Sequence, residues 1–424
     1  MKKILLNLIV VLLNCYAMLG QTAIKQSTNS AVIPGAERMD VYLPYLKGKS
    51  VAVFANPTSM VKNTHLVDTL LKNGIKVVRL FGPEHGFRGD ADAGEKVGNQ
   101  VDAKTGIPIV SLFGAHNKPG KEDLEGVDIL IFDIQDVGVR FYTFISSLQY
   151  FLEAAIENHK PLLILDRPNP NGFYVDGPVL DMKYKSFVGM QPIPIVYGMT
   201  IGEYALMLAG ENRLSEKANA INAYNVTTEP TVDTPFHVTV IKCKNYDHNT
   251  KYVLPVNPSP NLKQMQSVYM YPSTCFFEGT VMSEGRGTDY PFLIFGHPSL
   301  PKNLFSFTPM PNAGAKKSKC FGQVCYGWNV SGSNETVLKK LNGKIQLKYL
   351  LDAYKLFPNK DSFFIPAKSG KVEDCFFTKL AGNTELMEQI KSGAPEEFIR
   401  ESWKPALDAF KVIRKKYLLY KDFE

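Results

Sequence analysis

Five short apolar runs lie between residues 50 and 165: 50–55 (SVAVFA), 76–81 (KVVRLF), 107–113 (IPIVSLF), 128–132 (DILIF) and 161–165 (PLLIL). Runs that are apolar throughout and rich in β-branched side chains suit strands buried on both faces, the environment of a parallel sheet. Residues 61–72 and 141–158 carry apolar side chains at helical spacing, and the first stretch stops at Asn73-Gly74, a helix-ending signal. Strand, helix and strand in repetition predict an α/β domain with a doubly wound parallel sheet.

After residue 171 the alternation fades, although residues 202–209 are expected to add one more helix to this domain. From about residue 246 aromatics and turns dominate, with helices expected at 347–354, 384–392 and 395–416, so that 21–245 forms the α/β domain and 246–424 a smaller α+β domain. Residues 1–20 have the pattern of a secretory signal: Lys2 and Lys3, an apolar stretch at 4–13, then small residues Ala17 and Gly20. Export to the periplasm is expected, and Cys15 is a candidate for lipid anchoring.

Composition excludes some classes of function. The 424 residues are 45% hydrophobic and 21% charged, as in a folded chain with a large core. The net charge of +7 is spread without a Lys/Arg run, which argues against nucleic acid as a partner; no stable protein partner is implied either. Beyond Cys15 there are five cysteines at scattered spacings, so no disulfide framework is expected, although Cys320 and Cys325 are close enough in sequence to bridge. Neither a C-x-x-C nor an H-E-x-x-H pattern occurs, so no metal is expected.

In an open parallel sheet the ligand lies beyond the carboxyl ends of the strands. Those ends are polar here: Asn56-Pro57-Thr58, the loop 82–89 with Glu84, His85 and Arg88, the stretch from Asp133 and Asp136 to Arg140 and Tyr142, and Asp166-Arg167-Pro168-Asn169. Any one of these residues could simply cap a helix or tie a loop, but four strand ends sharing the pattern suggest a polar ligand. No glycine fingerprint follows the first strand, and neither a phosphate-binding G-x-x-x-x-G-K-[ST] nor a G-x-S-x-G elbow occurs. No cofactor is expected, and carboxylate acid/base chemistry is left, with Glu84, Asp133, Asp136, Asp166 and Glu284 as candidates. Glu84 sits between Pro83 and His85 in a glycine-flanked loop, where His85 could orient it or act as a second acid/base group. Glu284 and Arg286 lie in a glycine-rich loop, 283–289, whose composition suggests backbone approach to a ligand.

Five motifs in order, FGPEHGFRG (81–89), DIQDVGVRFYT (133–143), DRPNP (166–170), PSPNL (258–262) and SEGRGT (283–288), resemble the bacterial exo-β-N-acetylmuramidases, glycoside hydrolases long catalogued as a domain of unknown function. The resemblance implies a Rossmann-like domain joined to a smaller one with the active site in the cleft between them. It also implies release of N-acetylmuramic acid from the non-reducing end of peptidoglycan fragments such as muropeptides and disaccharides, and it matches Glu84 to the family's proposed catalytic glutamate. Glu284, or the substrate's own acetamido oxygen, would then complete the chemistry, with His85 beside the acid. The lactyl carboxylate of such a sugar calls for an arginine fork, for which Arg88, Arg140, Arg167 and Arg286 are the candidates. A related envelope glycosidase of different sugar specificity, or a non-catalytic muropeptide-binding protein with no need for Glu84, are the alternatives.

Overall fold

The computed structural model describes residues 31–84, 86–88, 98–221, 225–227, 237–312 and 314–424. His85, Cys15 and the whole 1–20 segment lie outside the described residues.

All five apolar runs form strands: β1 (Ser50–Ala55), β2 (Lys76–Gly82), β4 (Pro108–Ser111), β5 (Ile129–Asp133) and β6 (Leu162–Leu165), joined by β3 (Gln100–Val101), β7 (Asn225–Thr227) and β8 (His237–Ile241). Their order is β3-β4-β2-β1-β5-β6-β8-β7, parallel throughout except for the β3–β4 edge pair. Every residue of β1, β5, β6 and β8 is buried, which is why the first three read as continuous apolar runs rather than alternating ones. The strand order reverses at β1, which lies between β2 and β5. The chain is thus doubly wound, with its switch point at the carboxyl ends of β1 and β5.

One expected helix is shorter than its periodicity suggests. Residues 60–65 form a two-stranded hairpin, turned by Lys62 at φ 52°, and the helix α1 runs only over Leu66–Lys72. Helix α2 (Phe144–Glu157) is buried along nearly its whole length, and its polar side chains are matched: Ser146 donates to Phe187 O at 2.7 Å, and Gln191 donates to Gln149 at 2.9 Å. Helix α3 (Ile201–Gly210) starts on a capping box of Thr200 and Glu203.

After α4 (Met265–Thr274) the chain forms a three-stranded antiparallel sheet, β9 (Ile294–His297), β10 (Phe305–Phe307) and β11 (Cys325–Asn329), in the order β9-β11-β10. Short helices follow, among them α5 (Phe376–Ala381), and the last is α6 (Glu396–Lys415). That helix buries Ile399, Trp403, Leu407, Phe410 and Arg414, a single stripe at helical spacing. At its end Arg414 donates to Gly198 O at 2.8 Å and grips Asp422 with two hydrogen bonds of 2.8 Å, which fastens the C-terminal segment to the α/β portion. One apolar core, from Phe54 and Phe132 in the sheet to Trp403 and Phe410 in α6, runs through both portions.

Candidate active site

The loop beyond β2 turns back on itself through a Gly86 N–H to Pro83 O hydrogen bond of 2.9 Å. Phe87 is thereby buried, its ring edge-on to His65 at 5.0 Å, while Glu84 remains partly exposed. Thr143, at the N-terminal boundary of α2, donates its hydroxyl to Glu84 Oε2 at 3.2 Å. Glu84 lies in the wall of a pocket of about 290 Å³, near the lower limit for small-molecule sites, together with Tyr142, Asn261, Tyr271, Glu278 and Arg286. Phe141, Phe144 and Phe292 add aromatic surface, suited to packing against the C–H face of a sugar. Tyr142 donates to Pro258 O at 2.6 Å, and burial, with Asp136 and Glu84 nearby, pushes its hydroxyl far above the ordinary tyrosine range, so that it stays neutral.

Glu278, also in the pocket lining, sits in the single-turn helix Cys275–Gly279 that continues α4. Arg286 donates to Glu278 Oε1 through Nε at 3.2 Å and also through Nη2, and lies over the Phe292 ring at 5.2 Å. Glu284 supports this pair from behind. Its Oε1 is 3.4 Å from Arg286 Nε and its Oε2 is 2.8 Å from Lys319 Nζ, near enough for ion pairing though out of line for a hydrogen bond. Lys319 directs its hydrogen bonds to Phe277 O at 2.6 Å and Thr280 O at 2.9 Å. Burial works against the Arg286 charge, but Glu278 and Glu284 outweigh it and raise its pKa.

The glycines of this loop serve the loop itself. Gly285 and Gly287 have φ of 82° and 80°, and a Cβ on Gly287 would lie 2.7 Å from Met310 O, so the close approach is to the protein's own backbone and not to a ligand. Glu284, expected to face the substrate, is only 3% exposed, and the carboxylate that joins Glu84 in lining the pocket is Glu278. Nothing in the spacing marks Glu278; its one signal is its position in FEGT (277–280), just before the SEGRGT motif.

Tyr142 and Arg286 join Glu84 at the pocket, whereas the other expected binding residues hold the fold together. The switch point itself is filled. Arg167 grips Asp133 with hydrogen bonds of 2.6 and 2.8 Å, Asn56 accepts from Thr58 N at 2.9 Å, and Gln135 N donates to Thr58 Oγ1 at 3.0 Å. Asp166 accepts from Thr200, Gly202 N and Tyr420 at 2.6 to 2.8 Å, and Asn169 spans Met199 O and Asn171 N, both at 2.8 Å. Arg88 is paired with Asp102 at 2.8 and 3.0 Å, and among the described residues Arg140 donates only to backbone carbonyls. Apart from Arg88, these expected binding residues are buried, and burial demands such partners. Among the described residues, no group of three or more His, Cys, Asp or Glu is arranged to hold a metal ion.

Asp136 is buried, near enough to Tyr142 for its charge to be felt there. Its Oδ2 accepts from Gly138 N at 2.6 Å and from the Tyr197 hydroxyl, whereas Oδ1 has no partner among the described residues. Burial is the largest influence and pushes its carboxyl up to about 6, against the pull of those donors. Because the folded pKa exceeds the unfolded value of about 3.9, the stability carried by the neutral acid is complete below about pH 4 and lost as pH rises through about 6. Asp136→Asn lacks this loss, so the stability of the variant relative to wild type should rise by about 3 kcal/mol between pH 4 and 8 in urea melts. A pH-independent difference would show that the carboxyl ionises normally.

Comparison with known proteins shows the family. Residues 51–266 match the family model described as exo-β-N-acetylmuramidase NamZ, N-terminal, and residues 269–420 match its C-terminal counterpart. The peptidoglycan β-N-acetylmuramidase NamZ of Bacillus subtilis is 40% identical in a 405-residue alignment that covers 89% of each chain. A crystal structure of a DUF1343 family protein from Bacteroides fragilis superposes with a TM-score of 0.80 at 46% identity, covering 93% of this chain and all of the other. A second DUF1343 structure from the same species gives 0.74 at 29% identity, covering 92% of this chain and 99% of the other. The chain belongs to the exo-β-N-acetylmuramidase NamZ family.

Proposed function

We propose that this protein is a glycoside hydrolase that removes N-acetylmuramic acid from the non-reducing end of peptidoglycan fragments, with Glu84 as the general acid. The observation that carries the reading is the pocket: a partly buried Glu84, anchored by Thr143, shares an aromatic-lined cavity of about 290 Å³ with a second carboxylate. That volume suits a single terminal sugar better than the middle of a strand, as an exo mode of attack requires. Incubation with a defined glycan oligomer tests the mode: single N-acetylmuramic acid units should accumulate from the earliest time, and internal fragments would contradict it.

Arg286 supports recognition of the lactyl carboxylate. Of the four arginine candidates it alone lines the pocket, and its hydrogen bonds to Glu278 use Nε and Nη2, so Nη1 is the donor assigned to substrate. Arg286→Ala should lower kcat/KM on the muramic acid glycoside by about 2 to 4 kcal/mol, the range for a charge-assisted contact and its neighbours. The loss should shrink on the N-acetylglucosamine analogue, which has no lactyl group. Equal losses on both would assign lactyl recognition elsewhere and leave Arg286 as a holder of Glu278.

The segment 1–20 supports action outside the cytoplasm, in the periplasm, either free or anchored through Cys15. Mass spectrometry of the mature N-terminus from the native host would read this; an intact Met1 in exported material contradicts it.

A further inference from the structure

We propose that Glu278 is the second catalytic carboxylate, the group that meets the positive charge developing at the anomeric carbon while Glu84 protonates the leaving oxygen. The inference rests on the glycosidase reading above and adds a residue to it. Among the described residues, only two carboxylates line the pocket, Glu84 and Glu278. The other candidates are committed elsewhere: Asp133 to Arg167, Asp166 to Thr200, Gly202 and Tyr420, Asp136 to Tyr197 and Gly138, and Glu284 to Lys319 and Arg286.

The two carboxylates come from separate portions of the chain, Glu84 from the loop after β2 and Glu278 from the turn after α4. Tyr142 and Tyr271, with ring centroids 6.0 Å apart, line the same cavity; Tyr142 feels the charge of Glu84 and Tyr271 that of Glu278. Both carboxylates thus share one cavity with an aromatic pair, and a sugar bound there would meet both an acid and a stabilising anion. The oxygens of Glu278 are unequally bound. Oε1 receives both Arg286 hydrogen bonds, whereas among the described residues Oε2 has only the Cys275 thiol at 3.5 Å, a weak donor. Arg286 fixes the carboxylate through one oxygen, and the other is the one assigned to the sugar.

In the reaction the Glu84 proton passes to the glycosidic oxygen as the C1–O bond breaks and its electron pair goes to that oxygen. The charge left on C1 and the ring oxygen faces Glu278. Water then adds to C1 and gives a proton to the Glu84 carboxylate, which restores the acid; Glu278 is unchanged over the cycle, and the sum is glycoside plus water giving two free sugars.

The test compares Glu278→Gln with wild type on two muramic acid glycosides, one with a nitrophenol leaving group and one with N-acetylglucosamine. A group acting at the anomeric carbon is needed whatever leaves, so kcat should fall by about 10² to 10³-fold on both, with product binding and thermal midpoint close to wild type. A kcat within threefold of wild type, a loss confined to KM, or a loss on the disaccharide alone would overturn the assignment. Should Glu278→Gln fail to fold, Glu278→Asp keeps the charge and the arginine pair while withdrawing the oxygen; it should lose more than tenfold in kcat, and near wild-type turnover would overturn the assignment equally. Wild-type turnover separates the two claims: an inactive wild type refutes the glycosidase reading, whereas an active wild type with an active Glu278→Gln refutes this inference alone.

Discussion

Glu84→Gln is expected to lower kcat on a natural disaccharide by roughly 10² to 10⁴-fold, the usual worth of general-acid assistance, with little change in KM. Glutamine keeps the size of the side chain and can still accept from Thr143, whose hydroxyl lies 3.2 Å from Oε2, so the pocket should remain intact. What is lost is the proton. A nitrophenolate departs without much protonation, so the variant should retain far more activity on a nitrophenyl glycoside than on the disaccharide. Equal losses on the two would make Glu84 the group acting at the anomeric carbon. Near wild-type turnover on both would leave it a structural residue.

The largest effect on stability is expected at Arg140. Its guanidinium is fully buried, and burial pulls its pKa down to about 9. No carboxylate pairs with it in the described structure; the partners are four carbonyls, Pro178 O and Ile193 O at 2.7 Å, Leu380 O at 2.9 Å and Ala381 O at 2.7 Å. The last two are the terminal carbonyls of α5, so the cation sits at the negative end of that helix and joins the loop after β5 to the C-terminal portion. Gly382 closes the helix at φ 82°, and a Cβ there would stand 2.8 Å from Arg140 Nη2. Arg140→Ala strands four acceptors and opens a cavity, and should destabilise the protein by about 4 to 6 kcal/mol. Leu380 also lines the pocket, so activity should fall along with the melting temperature. Arg140→Lys, which cannot reach four carbonyls at once, should recover only part of the loss. A change below about 1 kcal/mol for Arg140→Ala would mean that the carbonyls find water or other donors.

The sheet could be read from the sequence because burial on both faces writes itself as uninterrupted apolar runs, as in SVAVFA and DILIF. The hairpin at 60–65 was hidden, because its apolar residues satisfy a helical period and only the positive φ of Lys62 breaks it. Strand β8 was hidden too, since HVTVI follows a stretch in which no strand–helix alternation remains. At the site, Glu84 was legible from its proline- and glycine-flanked loop beyond a strand. The arginines were not, because whether a guanidinium faces a ligand or an aspartate depends on loops brought together by the fold: Arg88 meets Asp102, and Arg167 meets Asp133, which lies 34 residues before it. Beyond its place before SEGRGT, Glu278 gave no sign, because its neighbours Phe276 and Phe277 are core residues and only packing brings the glutamate to the cavity.

The most direct test of the account is hydrolysis of a chromogenic N-acetylmuramic acid glycoside by the wild-type protein beside the N-acetylglucosamine analogue. The account predicts release from the first and much slower release from the second, since the two differ only in the lactyl group assigned to Arg286. Comparable rates would point to an envelope glycosidase of broader specificity, and binding of both without release of either would contradict the enzyme reading altogether.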